Sequence, residues 1–93
     1  MKIKIGCHEY EVIEKETIIL NGDAVCGKID TINGHIHICT EMCDNQRYST
    51  LIHEIVHGIL EEIGNPFAEL MDEEHFVKPF ANVLSQVLKD NKL

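Results

Sequence analysis

Several classes of residue are scarce in this chain of 93 residues. It has no tryptophan, only 5% of its residues are aromatic, and Arg47 is its single arginine. The core must therefore be built from isoleucine, valine and leucine. No apolar run approaches the roughly 18 residues that a membrane-spanning helix needs. The alternating charged and apolar residues at 1–5 predict a strand rather than a signal peptide. We therefore expect a cytoplasmic protein that does not contact a membrane.

Basic residues are scarce as well. The 16 acidic residues outnumber the 8 basic ones, which gives a formal charge of −8. No cluster of lysine or arginine interrupts this balance, so phosphate groups would be repelled rather than neutralised. We therefore expect no nucleic-acid partner. The length and the ordinary shares of hydrophobic (44%) and charged (26%) residues predict one globular domain spanning residues 1–93.

The four cysteines lack the spacing of a zinc-binding or redox pair. None of them lies in a CxxC motif. Without an export signal, we expect them to be reduced thiols rather than disulfides. A site formed by four cysteines around zinc is disfavoured for the same reason of spacing.

The first half of the chain has the period of two that is typical of strands. The segment Val25–Ile32, the turn at Asn33–Gly34 and the segment His35–Cys39 predict a β-hairpin. The second arm puts Ile36 and Ile38 on one face and the two histidines His35 and His37 on the other.

The second half has the period of α-helices. Apolar residues recur at intervals of three and four from about Asn45 to Ile63, and Gly64 is expected to end that helix. A second helical pattern follows Asp72, a suitable N-cap, and ends near Asn91. Because Pro79 disfavours a helix interior, two pieces are expected, namely a short helix after Pro66 and a longer one that ends near Asn91. The fold class is therefore expected to be α+β, with a small antiparallel sheet packed against two helices.

The chemistry is concentrated in the run HEIVH at residues 53–57, which is an HExxH motif inside the first helix. His53 and His57 are one turn apart, so both imidazoles project from one face. Two imidazoles and a carboxylate suit Zn²⁺ with a fourth position for water, and Glu54 is placed to take a proton from that water. Random ordering of the same residues produces the motif on average only about 0.04 times per sequence. Co²⁺ or Mn²⁺ would fit the same residues.

The third protein ligand is not fixed by the motif. The candidates are Glu73, Glu74 and His75, at the start of the second helix. A helical wheel favours Glu73, which lies near the centre of the apolar stripe, whereas Glu74 lies at its edge and His75 off it.

The motif and its surroundings resemble small zincin-like proteins of phages and prophages, which are distant relatives of the ImmA/IrrE metallopeptidases. The resemblance rests on the active helix at residues 49–59, the hairpin at 27–38 and the helix that begins with Glu74. It implies a minimal zincin-like fold and Glu74 as the third ligand of a gluzincin-type centre. It also implies that the strand before the active helix, His35–Cys39, lies along the substrate cleft as an edge strand. His35 and His37 would then contact the substrate.

Three functions are consistent with these features. The first is a zinc-dependent metallopeptidase with a narrow protein or peptide specificity, in which His53, His57 and Glu74 bind one Zn²⁺ and Glu54 is the general base. The second is a zinc-stabilised binding or regulatory module without catalysis. The third, a DNA-linked protease of the SprT type, is disfavoured by the acidic charge. The substrate and the oligomeric state are left open.

Overall fold

The computed structural model describes all residues from 1 to 93 and confirms the α+β class. Six strands and two helices follow one another along the chain in this order: β1 (Lys2–Ile5), β2 (His8–Lys15), β3 (Ile18–Leu20), β4 (Asp23–Val25), β5 (Gly27–Asp30), β6 (His35–Cys39), α1 (Asp44–Ile63) and α2 (Glu73–Asp90). Neither helix has the length and apolar character that crossing a membrane requires.

The main sheet has four strands in the order β1-β2-β6-β5, and β3 and β4 form a separate pair. The expectation of an antiparallel sheet is wrong for one pair of strands, because β2 and β6 run parallel, with Val12 opposite Ile36. The residues between these strands form the β3–β4 and β5 segments, and a parallel pair needs such a long connection. The alternating pattern identifies which residues face the core, but it carries no information on the direction of pairing.

The hairpin of β5 and β6 is confirmed, but its turn is longer than predicted. β5 ends at Asp30, and residues 31–34 form the turn, whereas a turn of only Asn33–Gly34 was expected. The carboxylate of Asp30 accepts hydrogen bonds from the backbone N–H groups of Ile32 and Asn33 and from the Asn33 side chain. An aspartate that binds the following backbone in this way stabilises a wider turn.

Helix α1 is the middle layer of the molecule. One face packs on the sheet, around Ile36, and the other packs on α2, around Val77, and both of these side chains are fully buried. Gly64 ends α1 as predicted, in a left-handed conformation (φ 76°) with its N–H directed to the carbonyl of Leu60. The amphipathic period thus fixed the limits of this helix, and its two packed faces hold the HExxH residues in place.

Helix α2 is continuous through Pro79 and ends near Asn91 as expected, whereas residues 66–70 form turns, so the predicted short helix after Pro66 is wrong. Pro79 lies inside the helix and is exposed. It removes one backbone hydrogen bond, to the carbonyl of His75. The packing of Val77 and Ala81 against α1, on either side of the proline, keeps the helix intact. Asp72 occupies the N-cap position as expected, although its side chain makes no capping hydrogen bond.

Candidate metal centre

The two histidines of the HExxH motif lie on the edge of α1 that faces the start of α2. Their side chains are 25% (His53) and 17% (His57) exposed, and the ring centroids are 5.0 Å apart. Isoleucine and valine on the other faces of α1 are buried against the sheet and α2, which fixes the rotation of the helix. The packing of α1 therefore places the two imidazoles side by side, and their contacts with Glu73 and Glu74 add to this placement.

Glu74 is the carboxylate that reaches both imidazoles. Its Oε1 atom is 2.8 Å from Nε2 of His53 and 3.1 Å from Nε2 of His57. One donor atom from each of these three residues lies within 4.8 Å of the others. The first turn of α2 thus brings Glu74 to the position that the resemblance implies for a third ligand.

Glu73, which the helical wheel favoured, contacts the opposite nitrogen of His57. Its Oε2 atom is 2.5 Å from Nδ1 of His57, and the side-chain amide of Asn65 donates a hydrogen bond to its Oε1 at 3.2 Å. Glu73 therefore fixes the orientation of the His57 ring through Nδ1, and Nε2 remains directed at Glu74. His75 is exposed and does not line the cleft, so it has no part in this arrangement.

Glu54 lies at the base of the same cleft. Only 7% of the residue is exposed, and burial raises the pKa of its carboxyl to about 7, while His57 opposes the shift. Gly27 of β5 faces it across the cleft, and a Cβ atom there would lie 3.3 Å from Oε2 of Glu54 and only 2.7 Å from Thr50. The absence of a side chain at Gly27 leaves room for the carboxylate.

The two histidines have shifts of opposite sign. Burial lowers the pKa of His53, although Glu74 partly counteracts this. Burial would also lower the pKa of His57, but the hydrogen bond that its Nδ1–H donates to Glu73 and the charges of Glu74 and Glu54 raise it overall. The carboxylates of Glu73 and Glu74 beside the two imidazoles favour the binding of a cation here.

The cleft over these residues has a volume of about 930 Å³. β5 forms one wall, α1 the floor and α2 the other wall. Lys78 and Asn82, one and two turns after Glu74, also line it. Sequence reasoning did not single them out, although the spacing of four from Glu74 places Lys78 on the same face of α2.

The predicted position of His35 and His37 is wrong. Strand β6 is internal, with β2 on one side and β5 on the other, so β5 is the strand with a free edge at the cleft. Neither histidine lines the cleft. His37 is 9% exposed, and its Nδ1 atom is buried without a hydrogen-bond partner. The error arose because β2 was not expected to pair with β6.

The three converging donor atoms fit a zinc ion by their chemistry. Two imidazole nitrogens and one carboxylate oxygen form a common ligand set for a zinc ion that keeps one position open. Ligand atoms on a tetrahedral zinc are about 3.3–3.6 Å apart. The observed separations of 2.8 and 3.1 Å are shorter by a few tenths of an ångström. The side chain of Glu74 is 55% exposed, so it has room to adjust by that amount.

Comparison of the chain with protein-family models, curated proteins and solved structures gives no match. The resemblance to the ImmA/IrrE relatives therefore stays a prediction from the motif residues.

Proposed function

We propose that the chain is a zinc-dependent metallopeptidase of narrow specificity. The observation that carries the proposal is the convergence of Nε2 of His53, Nε2 of His57 and Oε1 of Glu74 in a cleft that Glu54 also lines. A metal site that serves stability alone has no need of a further carboxylate beside its ligands, whereas hydrolysis needs a base there.

His53, His57 and Glu74 would hold the zinc ion. When bound, zinc supplies a positive charge that polarises a carbonyl group and lowers the pKa of water towards about 7. Glu54 then accepts a proton from the attacking water and delivers it to the departing amine. Glu73 keeps the Nδ1 proton of His57 in place, so that Nε2 stays available as a ligand.

The substrate would be an extended protein or peptide segment. The free edge of β5 borders the cleft and offers unpaired backbone groups to such a segment. The sequence predicts that β6 pairs with the substrate, but β6 is internal, so we propose β5 for this role. Besides β5, α1 and α2, only Leu20 and Val25 of the β3–β4 pair and Cys26 line the cleft. So few contacts near the scissile bond favour a narrow set of substrates that are recognised through further contacts.

The test is a cleavage assay with a diverse peptide library and mass-spectrometric detection of new termini. Zinc-loaded wild-type protein is compared with Glu54→Gln, a near-isosteric variant that keeps all three ligands. Cleavage at a defined motif by the wild type, reduced by at least about 100-fold in the variant, supports the proposal. Cleavage that is equal in both proteins comes from a contaminant and contradicts it.

A second candidate is a zinc-stabilised module that binds a partner without catalysis. It is favoured by the distribution of the ligands, because two come from α1 and one from α2, so that a metal would cross-link two helices of a small domain. It predicts no cleavage by either protein in the same assay, together with full zinc occupancy of both.

A further inference from the structure

A second group of side chains that could bind a metal lies where the β1–β2 turn meets the last turn of α1. The hairpin between β1 and β2 closes at Gly6 and Cys7, with Ile5 paired to His8. Gly6 has a positive φ of 61°, as tight two-residue hairpin turns require. This turn directs Cys7 and His8 towards the last turn of α1, where Glu62 is located.

The approach of Glu62 to the turn depends on Gly6. A Cβ atom at residue 6 would collide with the carboxyl group of Glu62, so only glycine lets that side chain cross the turn. Glu62 then lies between the two other side chains. Its Oε2 atom is 2.8 Å from Nδ1 of His8, and its Oε1 atom is 3.7 Å from Sγ of Cys7.

These separations are close to those of a tetrahedral zinc site. A sulfur atom and a carboxylate oxygen bound to one zinc ion are about 3.6 Å apart, given the usual bond lengths of about 2.3 and 2.1 Å. The observed distance of 3.7 Å matches this value. All three donor atoms lie within 4.8 Å of one another. The distance of 2.8 Å between Nδ1 of His8 and Oε2 of Glu62 must lengthen by roughly half an ångström on zinc binding.

We propose that Cys7, His8 and Glu62 form a second zinc site, independent of the HExxH centre. The thiolate, imidazole and carboxylate bind three positions of the ion, and water occupies the fourth. Both Cys7 and His8 are exposed, so the ion has an open path to the site. Binding releases the thiol proton to solvent, because the ligand is the thiolate.

The site acts as a clamp between distant parts of the chain. Cys7 and Glu62 are 55 residues apart, and the ion would fasten the β1–β2 hairpin to the end of α1. The same end of α1 leads through Gly64 to Asn65, which holds Glu73. Without a metal, the same contacts are an ion pair between His8 and Glu62 and a hydrogen bond that the Cys7 thiol donates to Glu62. The titration below distinguishes that arrangement from a zinc site.

The test is titration of reduced, metal-free protein with Co²⁺, which reports thiolate ligands through intense near-ultraviolet charge-transfer absorption. The HExxH centre has no sulfur ligand, so this band belongs to the Cys7 site alone. We expect the band in wild type and in His57→Ala. We also expect it in Cys43→Ser, which is the matched control because Cys43, like Cys7, is an exposed free cysteine. We expect Cys7→Ser to lack it and to bind one equivalent of zinc fewer than wild type.

A wild-type protein without the band, or a band that survives in Cys7→Ser, would overturn the proposal. The variant Glu62→Gln distinguishes a zinc site that includes Glu62 from one formed by Cys7 and His8 only. It should weaken binding by more than about tenfold, and equal affinity would remove Glu62 from the site. Because His57→Ala disrupts only the HExxH site, a band that persists in this variant tests the Cys7 site separately from the proposed function.

Discussion

Substitutions at Glu73 and Glu74 test the most specific statement about the HExxH centre, namely that adjacent glutamates have different roles. Glu74 contacts Nε2 of both histidines, and Glu73 contacts only Nδ1 of His57. Glu74→Gln replaces a charged ligand with a neutral amide. Glu73→Gln leaves all three ligands in place and removes only the charge behind one of them.

The expected magnitudes follow from these contacts. Loss of an outer partner of a ligating histidine reduces metal affinity by roughly 10–100-fold, or about 1.4–2.7 kcal/mol. Glu73→Gln should lie near the lower limit, because its amide oxygen still accepts a hydrogen bond from His57, and Glu73→Ala near the upper limit. Glu74→Gln should exceed about 100-fold, because a ligand is lost.

Zinc affinity is measured by competition with a chromophoric chelator, in a Cys7→Ser background that removes the second proposed site. Glu69→Gln is the control, since this exposed residue lies in the connection between the helices. The reasoning is refuted if Glu73→Gln abolishes binding while Glu74→Gln retains it, because the glutamates would then have exchanged roles.

Three further predictions concern stability. In the Cys7→Ser background, saturating zinc at about 100 times its dissociation constant should stabilise the fold by about 2.7 kcal/mol and raise Tm by roughly 10 °C or more. His57→Ala in that background should remove most of this shift in a thermal melt. Gly58→Ala gains up to about 1 kcal/mol of helix propensity but places a Cβ atom 2.8 Å from the Ile5 side chain. The free energy of unfolding in urea should therefore decrease by about 1 kcal/mol. An increase would mean that the sheet moves to accommodate the methyl group. Burial, then Lys15, Lys28 and His35, lower the pKa of His37 below its ordinary value of 6.5, against a smaller opposing effect of Asp30. The unfolded chain therefore takes up a proton first as the pH falls below about 6.5, and stability decreases. Metal-free His37→Gln should lose less stability over that range, and an identical pH profile would contradict the assignment.

The sequence predicted those features that depend on local pattern. The recurrence of apolar residues from Leu51 to Ile63 fixed α1, and Gly64 marked its end because a left-handed residue terminates a helix. The same helix placed His53 and His57 one turn apart. The two histidines of the candidate metal site were therefore predictable from spacing alone.

The features that the sequence did not predict depend on contacts between distant segments. The parallel pairing of β2 with β6 moved His35 and His37 away from the cleft and brought β5 to its edge. Neither strand carries a signal for this pairing. The continuity of α2 through Pro79 likewise depends on packing against α1, which outweighs the local penalty of the proline.

The choice between Glu73 and Glu74 shows the limit most clearly. Both are acidic residues in the first turn of α2, where either is compatible with the helix dipole. Their different contacts follow from the rotation of α2 about its axis, which the buried Val77 and Ala81 determine. A helical wheel places residues relative to the apolar stripe, but it does not show which of them meets the neighbouring helix.

The central claim is that the HExxH residues bind a metal, and the most direct measurement is the zinc content of the purified, zinc-reconstituted protein by elemental mass spectrometry. Wild type, Glu54→Gln and the control His75→Ala should contain equal amounts, because neither changed residue is a ligand. His57→Ala should contain one equivalent fewer. Equal zinc in His57→Ala and wild type, or no zinc in any of them, would contradict the claim.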